Sequence, residues 1–268
     1  AYLQPGDEAI HTEHGFLVYK LASQATGARP VSVAETNLTA DVDAILEAVT
    51  SKTKIVFLAN PNNPTGTMIP ASEVRRLHAG LHDNVLLVLD GAYAEYVGIA
   101  DYEDGFGLVE ETQNVVTTRT FSKIYGLAAL RLGWAYCPAP IAAVINRLRG
   151  PFNVSTPAQL AGIVAIEDQA HVEASIKHND VWRDRLFQQI SGAGFKVFPS
   201  HANFLLIKFD SENGLSASQA EQKLNERGLI LRGLTAYGLP DALRLTIGTE
   251  EANELVANVF LEMAENNG

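Results

Sequence analysis

The stretch TTRTFSKIYGLAALRLGW, residues 117–134, carries the most informative pattern of the chain. It opens as the end of a strand and then places Thr120, Ser122 and Lys123 within four consecutive positions, followed by Arg131. These side chains suit a phosphate ester, because hydroxyls donate hydrogen bonds and a guanidinium fork matches phosphate oxygens. A lysine beside a phosphate ester that carries a carbonyl group is placed for covalent catalysis. A solvated surface amine is the alternative interpretation of Lys123.

Composition and charge exclude several classes of protein. The chain has 268 residues, 47% hydrophobic and 19% charged, which is typical of a globular protein with a sizeable core. Its net charge of -11 argues against nucleic acid or an anionic membrane as the main partner. Its longest apolar run, near residues 85–89, is too short to span a bilayer. The single cysteine, Cys137, excludes an intramolecular disulfide and favours a cytoplasmic location.

Strands and helices alternate through the first half of the chain, which predicts a mostly parallel sheet with helices on both faces. Continuous apolar runs at residues 55–58 and 85–89 are typical of strands buried on both sides. A helix is predicted over residues 42–49, with Thr39 as its cap. Residues 131–136 are expected to return as a further strand of the same sheet.

Three loops of the predicted sheet carry polar residues just beyond their strands. Asn63 lies in a loop with two prolines after the first of these strands. Asp90 is the last residue of the next strand, and Tyr93 follows it. Residues 120–123 follow the third strand. Ligands of such sheets bind beyond the carboxyl ends of the strands. We therefore expect these side chains to line one crevice.

The pattern changes after residue 150, where helical sequence continues to about residue 190 and short strands follow. This change predicts a larger domain over residues 1–150 and a smaller α+β domain over residues 151–268. The strands of the smaller domain are predicted at residues 195–197, 204–207, 229–231 and 243–247.

Four ordered motifs resemble the fold-type-I aminotransferases that use pyridoxal phosphate, and among them most closely the histidinol-phosphate aminotransferases. The resemblance runs from about Gly6 to the last helix. It implies the α/β fold of that class, a mostly parallel sheet between helices with a smaller C-terminal α+β domain. The motifs are NPNNPTG at 60–66, DGAY at 90–93, TFSK at 120–123 with Arg131, and LRLTIG at 243–248.

The resemblance implies a role for each matching residue. Lys123 resembles the lysine that binds the cofactor covalently and later moves a proton, and Asp90 resembles the carboxylate that pairs with the pyridine nitrogen. The other matches are Asn63 and Tyr93 at the phenolic oxygen, Thr120, Ser122 and Arg131 at the phosphate, Phe16 or Tyr19 on the ring, and Arg244, Arg232 and Tyr19 at the substrate.

The activity that the resemblance implies is transfer of an amino group from histidinol phosphate to 2-oxoglutarate. The cofactor would be pyridoxal 5'-phosphate, the partners a small amino donor and a 2-oxo acid, and the assembly a homodimer. Two alternatives stay open. An aromatic amino acid aminotransferase shares every motif, and a non-catalytic aminotransferase-like module would bind the cofactor without turnover.

The chain departs from the family pattern in two respects. Gly91 stands where many relatives have an acidic residue, and little consequence is expected because that position points away from the ring. The family's upstream phosphate-binding loop and N-terminal arm have no counterpart here, so we interpret the chain as an N-terminally truncated fragment.

Two other kinds of site are disfavoured by the sequence. The pairs His11 with His14 and His78 with His82 have metal-like spacing, but no motif places a third ligand near either pair. Thr120 and Lys123 have the spacing of the Ser-x-x-Lys motif of penicillin-recognising enzymes. Here threonine stands at the nucleophile position, and the Lys-Thr-Gly partner motif is missing from the sequence.

Overall fold

A computed structural model of the chain describes residues 1–210 and 214–265. The strands of this part are β1 (Glu8–Thr12), β2 (Arg29–Val33), β3 (Glu35–Thr36), β4 (Thr39–Ala40), β5 (Thr53–Ala59), β6 (Leu86–Asp90), β7 (Val115–Thr120), β8 (Gly133–Tyr136), β9 (Lys196–Phe198), β10 (Phe204–Lys208), β11 (Arg232–Leu234) and β12 (Leu239–Thr246). Its α-helices are α1 (Leu17–Ala25), α2 (Val42–Glu47), α3 (Ala71–Gly80), α4 (Phe106–Glu111), α5 (Ala139–Leu148), α6 (Thr156–Glu167), α7 (Gln169–Gly192), α8 (Ala217–Glu226) and α9 (Glu250–Glu265).

The larger sheet has six strands in the order β2-β1-β5-β6-β7-β8. Its first five strands are parallel, and β8 runs antiparallel to β7. The predicted mostly parallel sheet and its returning strand are thereby confirmed. Since β5, β6 and β7 are neighbours, their last residues Ala59, Asp90 and Thr120 lie along one edge.

Helices cover both faces of this sheet, as the continuous apolar strands predicted. Val56 and Leu58 of β5 belong to a core that includes Ile45 of α2 and Leu77 of α3. The alternate residue Ile55 points to the opposite face, where it packs in a cluster with Ile141 of α5. Strands buried on both faces leave ligand access mainly at their ends, which is where the polar loops lie.

The smaller sheet is antiparallel, with the strand order β11-β12-β10-β9. Its core joins Leu205 and Ile207 of β10 to α7 and α9. The mixture of short strands and helices agrees with the predicted α+β character of this part of the chain. The division into domains at residue 150 stays a prediction.

Two local predictions are wrong. The cap of α2 is Asp41, whose carboxylate accepts a hydrogen bond from Ala44 N at 3.1 Å, while Thr39 pairs with Thr36 in the β3–β4 hairpin. The strand predicted at residues 229–231 begins only at Arg232, because Leu229 N still bonds to the carbonyl of α8 at Leu224. Arg232, expected on the strand with residues 229–231, is instead the first residue of β11.

Candidate active site

A cavity of about 450 Å³ opens at the carboxyl edge of β5, β6 and β7. A larger cavity of about 620 Å³ lies beside the smaller sheet, so size alone does not identify the site. The chemistry of the residues that line the 450 Å³ cavity identifies it as the site, because nine predicted residues meet there. They are Phe16, Tyr19, Asn63, Asp90, Tyr93, Thr120, Ser122, Lys123 and Arg131.

Lys123 follows β7 and is half-buried, with its Nζ 5.2 Å from the centre of the Tyr93 ring. Burial lowers the pKa of Lys123, and the positive charges of Arg244 and Arg131 lower it further against the opposing effect of Asp90. A lysine with a lowered pKa has a larger share of its amine unprotonated at neutral pH. Lys123 is thus suited to act as a nucleophile or a base.

Asp90 ends β6, and each of its carboxylate oxygens accepts one hydrogen bond. Tyr19 Oη donates to Oδ2 at 2.6 Å, and the backbone amide of Ala92 donates to Oδ1 at 3.1 Å. Burial raises the pKa of Tyr19 well above its ordinary value, with the Asp90 charge adding to the effect, so the phenol stays a neutral donor. These two donors fix the carboxylate at the edge of the cavity.

Tyr19 was predicted to contact the ring of the cofactor or the substrate. The structure places its hydroxyl on Asp90 and its ring in a parallel stack on Phe57, with centroids 4.8 Å apart. Phe16 is 37% exposed and meets the Tyr19 ring edge-on. Both residues line the cavity, and Phe16 is the more exposed of the two.

Thr120, Ser122 and Arg131 form a group of donors around the loop after β7. Thr120 Oγ1 accepts from Ser122 N at 3.0 Å, and Arg131 Nη1 reaches Ser122 Oγ at 3.4 Å and the carbonyl of Ala128 at 2.6 Å. Arg131 has a left-handed backbone with φ of 52°, an uncommon conformation for a residue other than glycine. The group combines two hydroxyls and a guanidinium, which is the donor set that a phosphate monoester prefers.

Arg244 reaches the site from the smaller sheet. Its Nη1 donates to Asn63 Oδ1 at 2.5 Å, and its guanidinium lies 5.0 Å from the centre of the Phe204 ring. Its Nε is buried without a hydrogen-bond partner in the described part of the chain. Arg232 faces Arg244 directly across the β11–β12 pair, so the two side chains are on the same face of the sheet.

Tyr93 is almost fully buried and packs edge-on against Phe204 of the smaller sheet. Burial raises its pKa to about 12, with the Arg244 charge opposing the effect, so its hydroxyl is a neutral donor at physiological pH. Together with the bond between Arg244 and Asn63, this contact brings the two sheets to one site.

The cavity wall also contains a charged residue that was not predicted from the sequence. Arg119 of β7 lines the same cavity and is buried. The signal was available, because an arginine inside an otherwise buried strand is unusual and needs partners for its charge.

His14 and His78, one from each pair considered as metal ligands, have other partners. His14 Nδ1 lies 2.9 Å from Glu35 Oε2, and this carboxylate raises the pKa of His14 against the effect of burial. His78 Nε2 lies 2.9 Å from Asn114 Oδ1. Within residues 1–210 and 214–265, no three side chains of His, Cys, Asp or Glu are grouped to hold a metal ion. The described helices are also too short or too polar to cross a membrane.

The fold and the cavity together define a transferase of the fold-type-I class. The family model described as aminotransferase class I and II matches residues 1–260, and the chain belongs to this family. The predicted fold class and the transaminase chemistry are thereby confirmed at the level of the family.

Several relatives are more specific. The chain is 60% identical to a histidinol-phosphate aminotransferase of Rhodopseudomonas palustris (strain BisA53), over 97% of this chain and 72% of the relative. A protein of the same name from Nitrobacter winogradskyi is 58% identical over 96% of this chain and 70% of its own length. Among solved structures, histidinol-phosphate aminotransferase from Sinorhizobium meliloti in complex with pyridoxal-5'-phosphate superposes with a TM-score of 0.90 and 26% identity, covering 99% of this chain and 72% of that one.

Proposed function

We propose that the chain is a pyridoxal-phosphate-dependent transaminase that uses histidinol phosphate as amino donor and 2-oxoglutarate as acceptor. The observation that carries the proposal is the meeting of Lys123, Asp90 and the Thr120–Ser122–Arg131 donor group in one cavity of an aminotransferase-family fold. The donor set fits the cofactor, since it offers an amine for a carbonyl, a carboxylate for a ring nitrogen and three donors for a phosphate.

Each residue of the site has a distinct task in this proposal. Pyridoxal phosphate, when bound, supplies a reactive carbonyl and an electron-accepting ring. Lys123 Nζ would hold that carbonyl and would accept the proton that leaves the substrate carbon. Asp90 would keep a proton on the ring nitrogen through its charge, and Asn63 and Tyr93 would donate to the phenolic oxygen. Phe16 would pack against the ring.

The choice of donor rests on the two arginines of the smaller sheet. Histidinol phosphate has no carboxylate, so its anionic group is a phosphate dianion. Arg232 and Arg244 are directly opposite each other on neighbouring strands. Two like charges in such a pair repel each other and destabilise the sheet. An anion between them removes the repulsion, and a phosphate dianion accepts both guanidinium forks.

Alanine substitutions at the two arginines test this substrate. We expect Arg244→Ala to lower kcat/KM for every donor, while Arg232→Ala lowers it about ten- to a hundredfold for histidinol phosphate and much less for phenylalanine or tyrosine. Steady-state kinetics with the three donors measure the difference. Arg227→Ala is the matched control, because Arg227 is half-exposed and pairs with Glu262 on the surface. A better kcat/KM for phenylalanine, or indifference of histidinol phosphate to Arg232→Ala, favours an aromatic aminotransferase instead.

We propose a homodimer as the assembly, formed partly through α6. This helix is apolar on all sides, and Leu160, Ile163 and Val164 remain 61%, 56% and 68% exposed. A helix that is hydrophobic all round is normally buried, and large exposed apolar surface marks an interaction site. A cytoplasmic location is proposed as well, which the single free cysteine fits.

Introducing negative charge on the apolar surface of α6 tests the assembly. We expect the parent protein to elute as a dimer in size-exclusion chromatography with light scattering. The double variant Leu160→Glu, Val164→Glu should elute as a monomer. Lys177→Glu, on the exposed side of α7, is the control and leaves the dimer intact. A parent chain that is monomeric at micromolar concentration contradicts the proposal.

A further inference from the structure

Arg119 is a buried arginine that the proposed chemistry leaves without a task. Only 7% of its surface is exposed. Its guanidinium donates to Thr117 Oγ1 at 3.0 Å, to the Thr118 carbonyl at 3.2 Å and to the Asp104 carbonyl at 3.0 Å. It also lies 5.1 Å from the centre of the Phe106 ring. A buried charge is tolerated only with such partners, so the position of this guanidinium is closely specified.

The partners of Arg119 are mostly uncharged. The Glu95 carboxylate lies 3.9 Å from its Nε, at the long end of ion-pair distances. Burial raises the pKa of Glu95, which further weakens a pair that depends on its ionised form. The guanidinium is therefore held chiefly by the backbone carbonyls at the carboxyl end of β7 and in the loop before α4.

Gly91 provides the space in which this guanidinium sits. A Cβ at residue 91 would lie 1.8 Å from Arg119 Nη1 and 2.6 Å from its Cζ, so the guanidinium would have to leave its present position to admit one. The next contact would be the Thr118 carbonyl at 3.2 Å, a much milder approach. Gly91 does not have a positive φ, so its backbone is open to any residue. What requires glycine here is Arg119.

The contact lies where the two strands that carry the site end side by side. Asp90 is in register with Thr118, and the Thr118 carbonyl accepts from both Gly91 N at 3.0 Å and Arg119 Nη1. The β6 side of this junction leads to Asp90 and Tyr93. The β7 side leads directly to Thr120 and Lys123, so a shift between the strand ends moves the two halves of the site apart.

We propose that Arg119, seated in the space left by Gly91, is a positioning residue that holds Asp90 and Lys123 in register across the ends of β6 and β7. The glycine is then a requirement of the site rather than a neutral replacement for the acidic residue found in many relatives. The proposal differs from our expectation that position 91 has little consequence. The proposal rests on the proposed function only for the identity of the bound cofactor.

A double-mutant cycle of Gly91→Ala and Arg119→Met separates this proposal from a general loss of stability. Methionine keeps the apolar stem of the arginine but removes Cζ and both terminal nitrogens. Thermal unfolding of the cofactor-free protein tests the contact itself. Titration with pyridoxal phosphate, followed by visible absorption and by circular dichroism of the cofactor band, tests the alignment. Gly98→Ala is the control, since nothing lies within 4 Å of a Cβ at that exposed position.

We expect Gly91→Ala and Arg119→Met each to weaken cofactor binding by about tenfold and to change the sign or strength of the cofactor dichroism. In the Arg119→Met background, Gly91→Ala should cause less than about a twofold further change, because the atoms it would meet are gone. The melting temperatures should show the same lack of additivity. Gly98→Ala should leave all three measurements unchanged.

Several outcomes would overturn the proposal. Additive melting temperatures would mean that residues 91 and 119 do not share the space. Coupled melting temperatures with unchanged binding and dichroism would mean that the contact is structural only. If Gly91→Ala fails to fold, Arg119→Met alone decides, and parental binding and dichroism in that variant reject the role. Failure of the proposed function is a separate result that is measured on the parent chain alone. A parent that binds no pyridoxal phosphate, or binds it without turning over histidinol phosphate, rejects that function whatever the two variants do.

Discussion

Replacing Lys123 with alanine is expected to abolish turnover, with a loss of at least about 10⁴-fold in kcat. The reason is that one amine serves as both the covalent attachment and the proton carrier, and general acid–base catalysis alone contributes up to about that factor. Borohydride treatment of the parent protein with pyridoxal phosphate should fix the cofactor to the peptide that contains Lys123. Peptide mapping by mass spectrometry measures the attachment.

Lys177→Ala is the matched control, since Lys177 is exposed on α7 and far from the cavity in sequence. It should keep both turnover and labelling. The lowered pKa of Lys123 adds a pH dependence, because attachment requires the unprotonated amine. Labelling should therefore persist to lower pH than for an ordinary lysine. Labelling of another lysine rejects the assignment, and cofactor binding without any turnover of the parent would favour the non-catalytic module.

The larger sheet could be predicted because its strands have a recognisable pattern of apolar residues in the local sequence. Residues 55–58 are uninterrupted apolar residues, and burial on both faces of a parallel sheet is the physical cause of that pattern. The cap of α2 was missed because Thr39 and Asp41 are both good caps, and the choice depends on the hairpin that occupies Thr39. Such a choice depends on a tertiary pairing that a local pattern does not contain.

The location of the site was also predictable, since loops at the carboxyl ends of neighbouring parallel strands must meet at one edge. Lys123 and Asp90 were found in this way. Contacts between side chains of distant segments were not, and the hydrogen bond from Tyr19 to Asp90 joins residues 71 positions apart. The close approach of the Arg119 guanidinium to Gly91 is likewise a contact between distant segments that the local sequence does not predict. The roles of the site residues remain predictions until the variants are measured.

The charge of Asp90 is the second feature with a large expected effect. Asp90→Asn keeps the size of the side chain and can still accept from the Ala92 amide through its carbonyl oxygen. The new amide can donate to the Tyr19 hydroxyl, which reverses the direction of the present 2.6 Å bond without breaking it. Folding and cofactor binding should therefore change little.

Turnover should change greatly, because a neutral amide no longer keeps a proton on the ring nitrogen. We expect kcat to fall by about 10²- to 10³-fold, the range found when a preorganised electrostatic contact is removed from an active site. Single-turnover absorption measurements follow the proton transfer directly and separate it from binding. Tyr19→Phe is the control, since it removes the hydrogen bond to Asp90 but keeps the carboxylate charge, and its effect on kcat should be less than about tenfold. If Asp90→Asn turns over at nearly the parental rate, or if Tyr19→Phe is the more damaging change, then the charge of Asp90 does not act on the ring.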